Sequence, residues 1–298
     1  MDAYRTADGR FADLPGYPYE PNYREVGGLR LHHLDEGEGP AVLCFHGEPS
    51  WSYLYRHMLD RLVDAGHRVV CPDLAGFGRS DKPLDPDWYT YERHVETVTA
   101  HLDQIELSDV TVVVQDWGGP IGLRWAVEHP ERVGRLVILN TGLFTGRVSK
   151  GFLVWRDFVE RTPDLPVGNI VEGGTATDLP PEVIAAYEAP FPTQAAKAGA
   201  QRFPLLVPLD EDEAGAAEMT AVREALADWE KPALVVFSDG DQIFPFPGSG
   251  EHFTRLIPTA GEQVRIEGAS HFLQEDRGTE IADAIVREFA LAGAGEAS

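Results

Sequence analysis

Asp116 stands at the end of a β-branched apolar run, VTVVVQDWGGPIGLRW, where a strand must turn sharply into a helix across Gln115-Asp116-Trp117-Gly118-Gly119. A turn of this kind lifts one side chain clear of the sheet. Its glycines let helix and strand approach closely, and the helix N-terminus favours negative charge there. A carboxylate so placed is a nucleophile that needs no proton removed before it attacks. Alone, the same aspartate is equally well a helix N-cap. Three further segments bear on the choice. Phe45-His46-Gly47-Glu48-Pro49-Ser50-Trp51 follows another apolar run. Such a loop supplies one backbone N–H of an oxyanion hole, and the residue after the nucleophile supplies the other, so the amides of Glu48 and Trp117 are the candidates. His46 itself reads as a structural residue of that loop. Asp239 and Asp241 both follow the strand-like PALVVFS. Asp241 is preferred as the acid because its Asp-x-x-x-Pro pattern ends at Pro245. Of ten histidines, His271 in QVRIEGASHF sits just past a strand, with small residues before it and Phe272 after it.

The elements that must position these residues alternate in type. LRLHHLDEG, AVLCFHG, RVVCPDLAG, VTVVVQD and RLVILN read as strands. SYLYRHMLDRLVDAG, YERHVETVTAHLDQIEL and GGPIGLRWAVEHP read as helices between them. The alternation predicts an α/β protein with a mostly parallel sheet flanked by helices. From about residue 145 to 228 no strand signal occurs, and short helical pieces such as FLVWRDFVER and PPEVIAAYEA take over. Strands then resume at PALVVFSDGD. Ligands in open α/β sheets bind at the carboxyl ends of the strands, so an inserted helical segment would roof them. The expected organisation is a core of residues 1–144 and 229–298 with a helical cap of residues 145–228. In chain order, Asp116, Asp241 and His271 follow the nucleophile–acid–histidine sequence of α/β-hydrolases.

The sequence has 298 residues, with 25 Lys+Arg against 49 Asp+Glu, a formal charge of −24. A hydrophobic share of 43% and an aromatic share of 10% mark a folding chain rather than a disordered one. The charge argues against a nucleic-acid partner and against a polybasic membrane anchor. Only four cations are lysines, Lys82, Lys150, Lys197 and Lys231. High acid with little lysine fits a GC-rich or salt-adapted source and a self-repelling surface. Cys44 and Cys71 lie in apolar runs and read as buried small residues, neither a disulfide nor a metal site. MDAYRTADGRF has no apolar stretch of a secretory signal, and no run of 18 apolar residues occurs, so a cytoplasmic protein is expected. The tail ALAGAGEAS is the one small-residue tract.

Together these segments resemble the haloalkane dehalogenases of the α/β-hydrolase superfamily, in particular the subfamily with an Asp-His-Asp triad and an HGEP loop. The resemblance runs over nearly the whole chain, through RTADGRFADLPGYPYEPNY, HGEPSWSYLYRHM, PDLAGFGRSDKP, VVQDWGG, EAPFP, RFPLLVP and SHFLQED. It implies Asp116 as nucleophile, His271 as base and an acid in the Asp241 region. It also implies two tryptophan N–H groups for the leaving halide, Trp117 and, in FLVWRDF, Trp155. The stretch between Asn140 and Trp155 is shorter than in the best-known members, which implies a more open mouth. The implied reaction takes a small apolar halogenated substrate and water, releases halide, and uses no cofactor or metal.

These residue types suit that reaction. A carboxylate can displace halide in line at an sp3 carbon, leaving an alkyl ester that water then cleaves. The oxyanion amides and the helix N-terminus are expected to depress the pKa of Asp116. Phe152, Phe158, Phe191, Phe203, Leu206 and Val207, with Ile243 and Phe244, form a set that fits an apolar pocket, though each alone reads first as ordinary core. The rival readings are an epoxide hydrolase, which needs cap tyrosines where Tyr187 stands alone; a fluoroacetate-type dehalogenase, which needs cationic clamps; and a non-catalytic receptor, which would not need an intact triad.

Overall fold

Three apolar runs bury every residue they contain, and they are inner strands of the sheet: β3 (Ala41–Phe45), β5 (Val110–Val114) and β7 (Ala233–Ser238). Around them lie β1 (Asn22–Val26), β2 (Leu29–Glu36), β4 (Arg68–Pro72), β6 (Val133–Ile138) and β8 (Val264–Ile266). The computed structural model describes residues 2–294; the last four residues of the ALAGAGEAS tail lie outside the described residues. Among the described residues the strands pair in the order β8-β7-β6-β5-β3-β4-β2-β1. Every pairing from β8 through β4 is parallel, and β2 and β1 join antiparallel at the edge. The chain belongs to the mostly parallel α/β class expected. The β1–β2 hairpin turns at Gly27-Gly28, both with positive φ, as a two-residue hairpin turn requires.

Alternate side chains along the buried strands enter different cores. Leu43 and Phe45 of β3, with Val112 and Val114 of β5, join one apolar cluster; Val42, Cys44 and Val113 join the other. Period-two alternation with both faces covered explains why these strands read as nearly unbroken apolar runs. Cys44 and Cys71 are buried free thiols.

Helices α1 (Arg56–Asp64), α2 (Tyr91–Leu102) and α3 (Gly118–Glu128) connect the first strands. Thr90 caps α2 by accepting from the Arg93 amide. The sequence pattern extends α2 to Leu107, but it ends at Leu102; Ile105 and Leu107 are buried in the turn that follows. After β6 come α4 (Lys150–Arg161), α5 (Val167–Gly173), α6 (Pro181–Glu188), α7 (Ala198–Arg202) and α8 (Ala216–Ala227). The last of these packs against α3 with Met219, Val222 and Leu226 buried. Helix α9 (Gly248–Leu256) follows β7, and α10 (Leu273–Ala294) follows β8. No described helix is long and apolar enough to cross a membrane.

The chain runs outward from β3 to β4, then returns to place β5 on the other side of β3. The loops that leave β3 and β5 therefore part in opposite directions and open a crevice, the usual ligand position in such sheets. Those two loops carry Glu48 and Asp116.

Candidate active site

Asp116 occupies the turn between β5 and α3 with φ of +49°. A non-glycine residue in this left-handed region is strained. The turn is held on both sides: the Asp116 amide donates to Asn140 O at 2.8 Å, and Thr141 Oγ1 donates to Asp116 O at 2.6 Å. Gly47 passes directly beside the carboxylate, and a Cβ there would collide with Asp116 Oδ1. That close approach brings the Glu48 amide to 2.8 Å from Asp116 Oδ1. The Trp117 amide also favours the ionised form of the Asp116 carboxylate.

His271 faces the other carboxylate oxygen, with Nε2 at 3.6 Å from Asp116 Oδ2. Its Nδ1 lies 3.0 Å from Asp241 Oδ2. Asp241 is fixed in turn, since its Oδ1 accepts from the amides of Ile243 at 2.7 Å and Phe244 at 3.1 Å. Asp239 points elsewhere: it accepts from Arg265 at 2.7 Å and from the Gly268 amide at 3.0 Å. His46 stays within its loop region, where Nε2 accepts from the Leu74 amide at 3.0 Å.

A cavity of about 240 Å³ opens over this group. Glu48, Asp116, Trp117, Asp241 and His271 line it on the core side, and Trp155 and Ile170 line it from the helical insertion. A family model described as the alpha/beta hydrolase fold matches residues 40–180. The chain is 45% identical over 297 residues to a haloalkane dehalogenase of Mycobacterium marinum, covering 96% of this chain and 99% of the relative. It is likewise 45% identical over 298 residues to a haloalkane dehalogenase of Psychrobacter cryohalolentis, covering 96% and 98%. The tetrameric structure of haloalkane dehalogenase DpaA from Paraglaciecola agarilytica NO2 superposes with a TM-score of 0.91 at 35% identity, over 95% of this chain and 97% of that one. The chain belongs to the haloalkane dehalogenase family.

Within this dehalogenase scaffold the expected pocket set divides. Phe152, Ile243 and Phe244 line the cavity. Phe158, Phe191, Phe203, Leu206 and Val207 do not. Phe158 is 41% exposed and stacks on the outer side of the helix against Trp155 at 5.7 Å. Phe191 is buried against Phe77. Phe203 packs edge-on to Trp117 at 5.1 Å, bracing the indole without reaching the cavity. Leu206 and Val207 pack into the core cluster, and Val207 O accepts from Arg156 at 2.9 Å. Phe144, Ile170, Pro204 and Phe272 line the space instead. Pro204 and Phe272 lie within RFPLLVP and SHFLQED, but Phe144 and Ile170 lie in no motif. Phe272 adjoins His271 and was the one within reach of sequence reasoning.

The aromatic shell is tight around the imidazole. Phe244 stacks on His271 at 5.9 Å and Phe272 meets it edge-on at 4.8 Å. Burial in this shell governs the charges. It pushes the Asp116 carboxyl up, and His271 with the Trp117 and Glu48 amides pulls it back only in part. The expected depression is therefore reversed: desolvation outweighs the donors. Burial lowers His271, but Asp241 and then Asp116 more than offset this and hold it above its ordinary value. Burial, with Asp116 adding repulsion, drives Glu48 well above the carboxylate range.

Proposed function

We propose that the protein hydrolyses carbon–halogen bonds in haloalkanes through a covalent ester on Asp116, giving an alcohol, a halide ion and a proton. The observation that carries this reading is the double environment of one carboxylate. Asp116 Oδ1 is held by the Glu48 amide, while Oδ2 faces His271 across a cavity that also exposes Trp117 and Trp155. In the first step an Asp116 oxygen bonds to the substrate carbon as the carbon–halogen pair leaves on the halogen. Trp117 and Trp155 offer indole N–H groups, donors without an acceptor role, to the charge that grows there. Neither indole N–H donates to a protein group among the described residues, so both are free for the halide.

In the second step His271 takes a proton from water, and the hydroxide oxygen adds to the ester carbonyl. The amides of Glu48 and Trp117 receive the oxyanion, which collapses and breaks the ester C–O bond; the departing alkoxide takes the proton of the new carboxyl, so that Asp116 is again a carboxylate, and the proton on His271 passes to solvent. Asp241 holds the His271 N–H at Nδ1 and stabilises the imidazolium. Asp239, engaged with Arg265, takes no part. Of the cap expected over residues 145–228, we read α4 to α7 as the roof over this chemistry and move α8 to the core layer, because it packs on α3. A small apolar halogenated substrate, water and halide are the partners this site fits, and a cytoplasmic location remains the proposal.

The epoxide reading requires a cap tyrosine to protonate an opening oxygen. Tyr187 is wholly buried and its hydroxyl donates to Glu275 at 2.5 Å, away from the cavity. Among the described residues, no Lys or Arg lines the cavity to clamp a substrate carboxylate.

The test is bromide release from 1-bromobutane and 1,2-dibromoethane. The His271→Phe variant is expected to release about one bromide per enzyme and to accumulate an alkyl ester on Asp116, seen by intact mass. No halide release by the wild-type chain across bromo- and chloroalkanes, beside turnover of styrene oxide, would hand the case to an epoxide hydrolase.

A further inference from the structure

The segment Ser270-His271-Phe272-Leu273-Gln274-Glu275-Asp276 gives one residue, His271, to the proposed chemistry, yet the two acids that close it both reach into the helical insertion. Glu275 receives Arg56 Nη1 of α1 at 2.6 Å and the Tyr187 hydroxyl of α6, and both members of the Arg56–Glu275 pair are 4% exposed. Asp276 has a different set of partners. Its Oδ1 accepts from the Ala176 and Thr177 amides, each at 3.0 Å, and from Thr177 Oγ1 at 2.7 Å. Its Oδ2 accepts from the Ala176 amide at 2.9 Å and from the Ser270 amide at 3.0 Å. One carboxylate thus holds the loop after α5 and the residue immediately before His271.

A second contact runs beside the first. The Phe272 amide donates to Gly174 O at 3.0 Å, and a Cβ on Gly174 would press to 2.6 Å from the Phe272 ring. The residues immediately before and after His271 are therefore both tied to residues 174–177. Helix α10 departs from helical geometry at Arg277 (φ −142°, ψ 33°), so residues 273–276 form a turn distinct from the rest of the helix. Gly173 and Gly174 of the insertion and Ser270, His271 and Phe272 of the core line the same cavity.

We propose that Asp276 is a positioning residue that couples the seating of the cap loop 174–177 to the orientation of His271. The proposal rests on the reading of His271 as the base of ester hydrolysis. Its consequence falls on one step. Displacement of halide by Asp116 needs no proton transfer, whereas attack of water on the ester needs His271 aimed at that water. Charge-assisted bonds from four donor groups to one carboxylate are the strong kind, and they fix both partners in one geometry.

Asp276→Asn separates the two arms. An amide oxygen can still accept from Ala176 and Thr177, but the amide NH2 then meets the Ser270 N–H donor to donor. In a rapid-mix experiment with 1,2-dibromoethane, D276N is expected to release its first bromide within about two-fold of the wild-type rate, while the ester on Asp116 decays roughly ten-fold more slowly. An unchanged ester lifetime would overturn the proposal. So would equal slowing of both steps together with a lowered Tm, which a merely structural role would give. Hydrogen exchange on the full chain needs no turnover. In D276N the amides of 174–177 and 270–272 should lose protection together, and loss in one segment alone would also refute the coupling. If the wild-type chain releases no halide, the dehalogenation reading fails by itself and the exchange result still decides the coupling.

Discussion

The Glu48 amide and the Asp116 carboxylate are hydrogen-bonded at 2.8 Å, while the Glu48 side chain and the same carboxylate compete for charge in a buried space. The backbone of Glu48 favours an ionised nucleophile, while burial and then the nearby carboxylate push its own side chain up. Glu48→Gln removes the ionisable group and keeps the backbone donor. Bromide release by this variant should stay within roughly ten-fold of wild type, whereas Asp116→Asn should abolish the initial burst. A Glu48→Gln variant as inactive as Asp116→Asn would show that the ionised side chain is needed.

Asp239 and Asp241 stand two residues apart at the end of β7 with opposite assignments. Asp241→Asn removes the charge that raises His271 and should slow ester hydrolysis by about four orders of magnitude, as loss of the acid does in related triads. Asp239→Asn gives up a surface contact to Arg265 and should remain within roughly two-fold of wild type. Steady-state halide release at neutral pH compares them, and the reverse ranking would exchange their roles.

Trp155 sits half-buried on α4 with its ring against Phe158. Trp155→Phe keeps an aromatic ring and removes the N–H. Losing one of two donors aimed at developing charge should slow the first bromide release roughly 10- to 100-fold, and the later ester decay much less. Equal slowing of both steps would mark Trp155 as a packing residue of α4.

Three buried histidines set an acid limit. Burial lowers His33 to about 4 and His94 and His101 to about 3. Each is neutral in the fold and takes up a proton on unfolding once the pH drops below about 6.5. The unfolded chain then binds more protons, so stability falls as pH falls from about 6.5 toward 4, by several kcal/mol in all as an order of magnitude. His94 has both ring nitrogens buried without a partner, among Trp88, Tyr89 and Phe203. His94→Phe should reduce the fall in the urea midpoint between pH 7 and pH 5. A wild-type midpoint flat over that interval would contradict the argument.

Residues fixed by local geometry were legible in the sequence. Asp116, Asp241 and His271 each follow a strand, and a strand end in a parallel sheet has one place to go. Glycines at the elbow and in the loop after β3 announced where backbones approach. The cavity wall was less legible because it depends on which face each short helix of the insertion turns inward. Phe152 and Phe158 lie on the same helix, yet one lines the site and the other meets solvent. Phe203 carries the expected apolar character but spends it behind Trp117. The direction of the Asp116 shift depends on the depth of the cavity, which no spacing of motifs records.

The outer side of α4 has a consequence for the protein in solution. Val154 is 72% exposed, Leu153 45% and Phe158 41%, an apolar ridge on a chain of charge −24. At low ionic strength, repulsion between molecules keeps such ridges apart; molar salt removes that repulsion and strengthens apolar attraction at once. The salt that relieves repulsion within one molecule should therefore raise Tm while it lowers the concentration at which molecules cluster. Light scattering along a salt series should show clustering set in as Tm climbs, with Val154→Glu delaying the first and leaving the second unchanged.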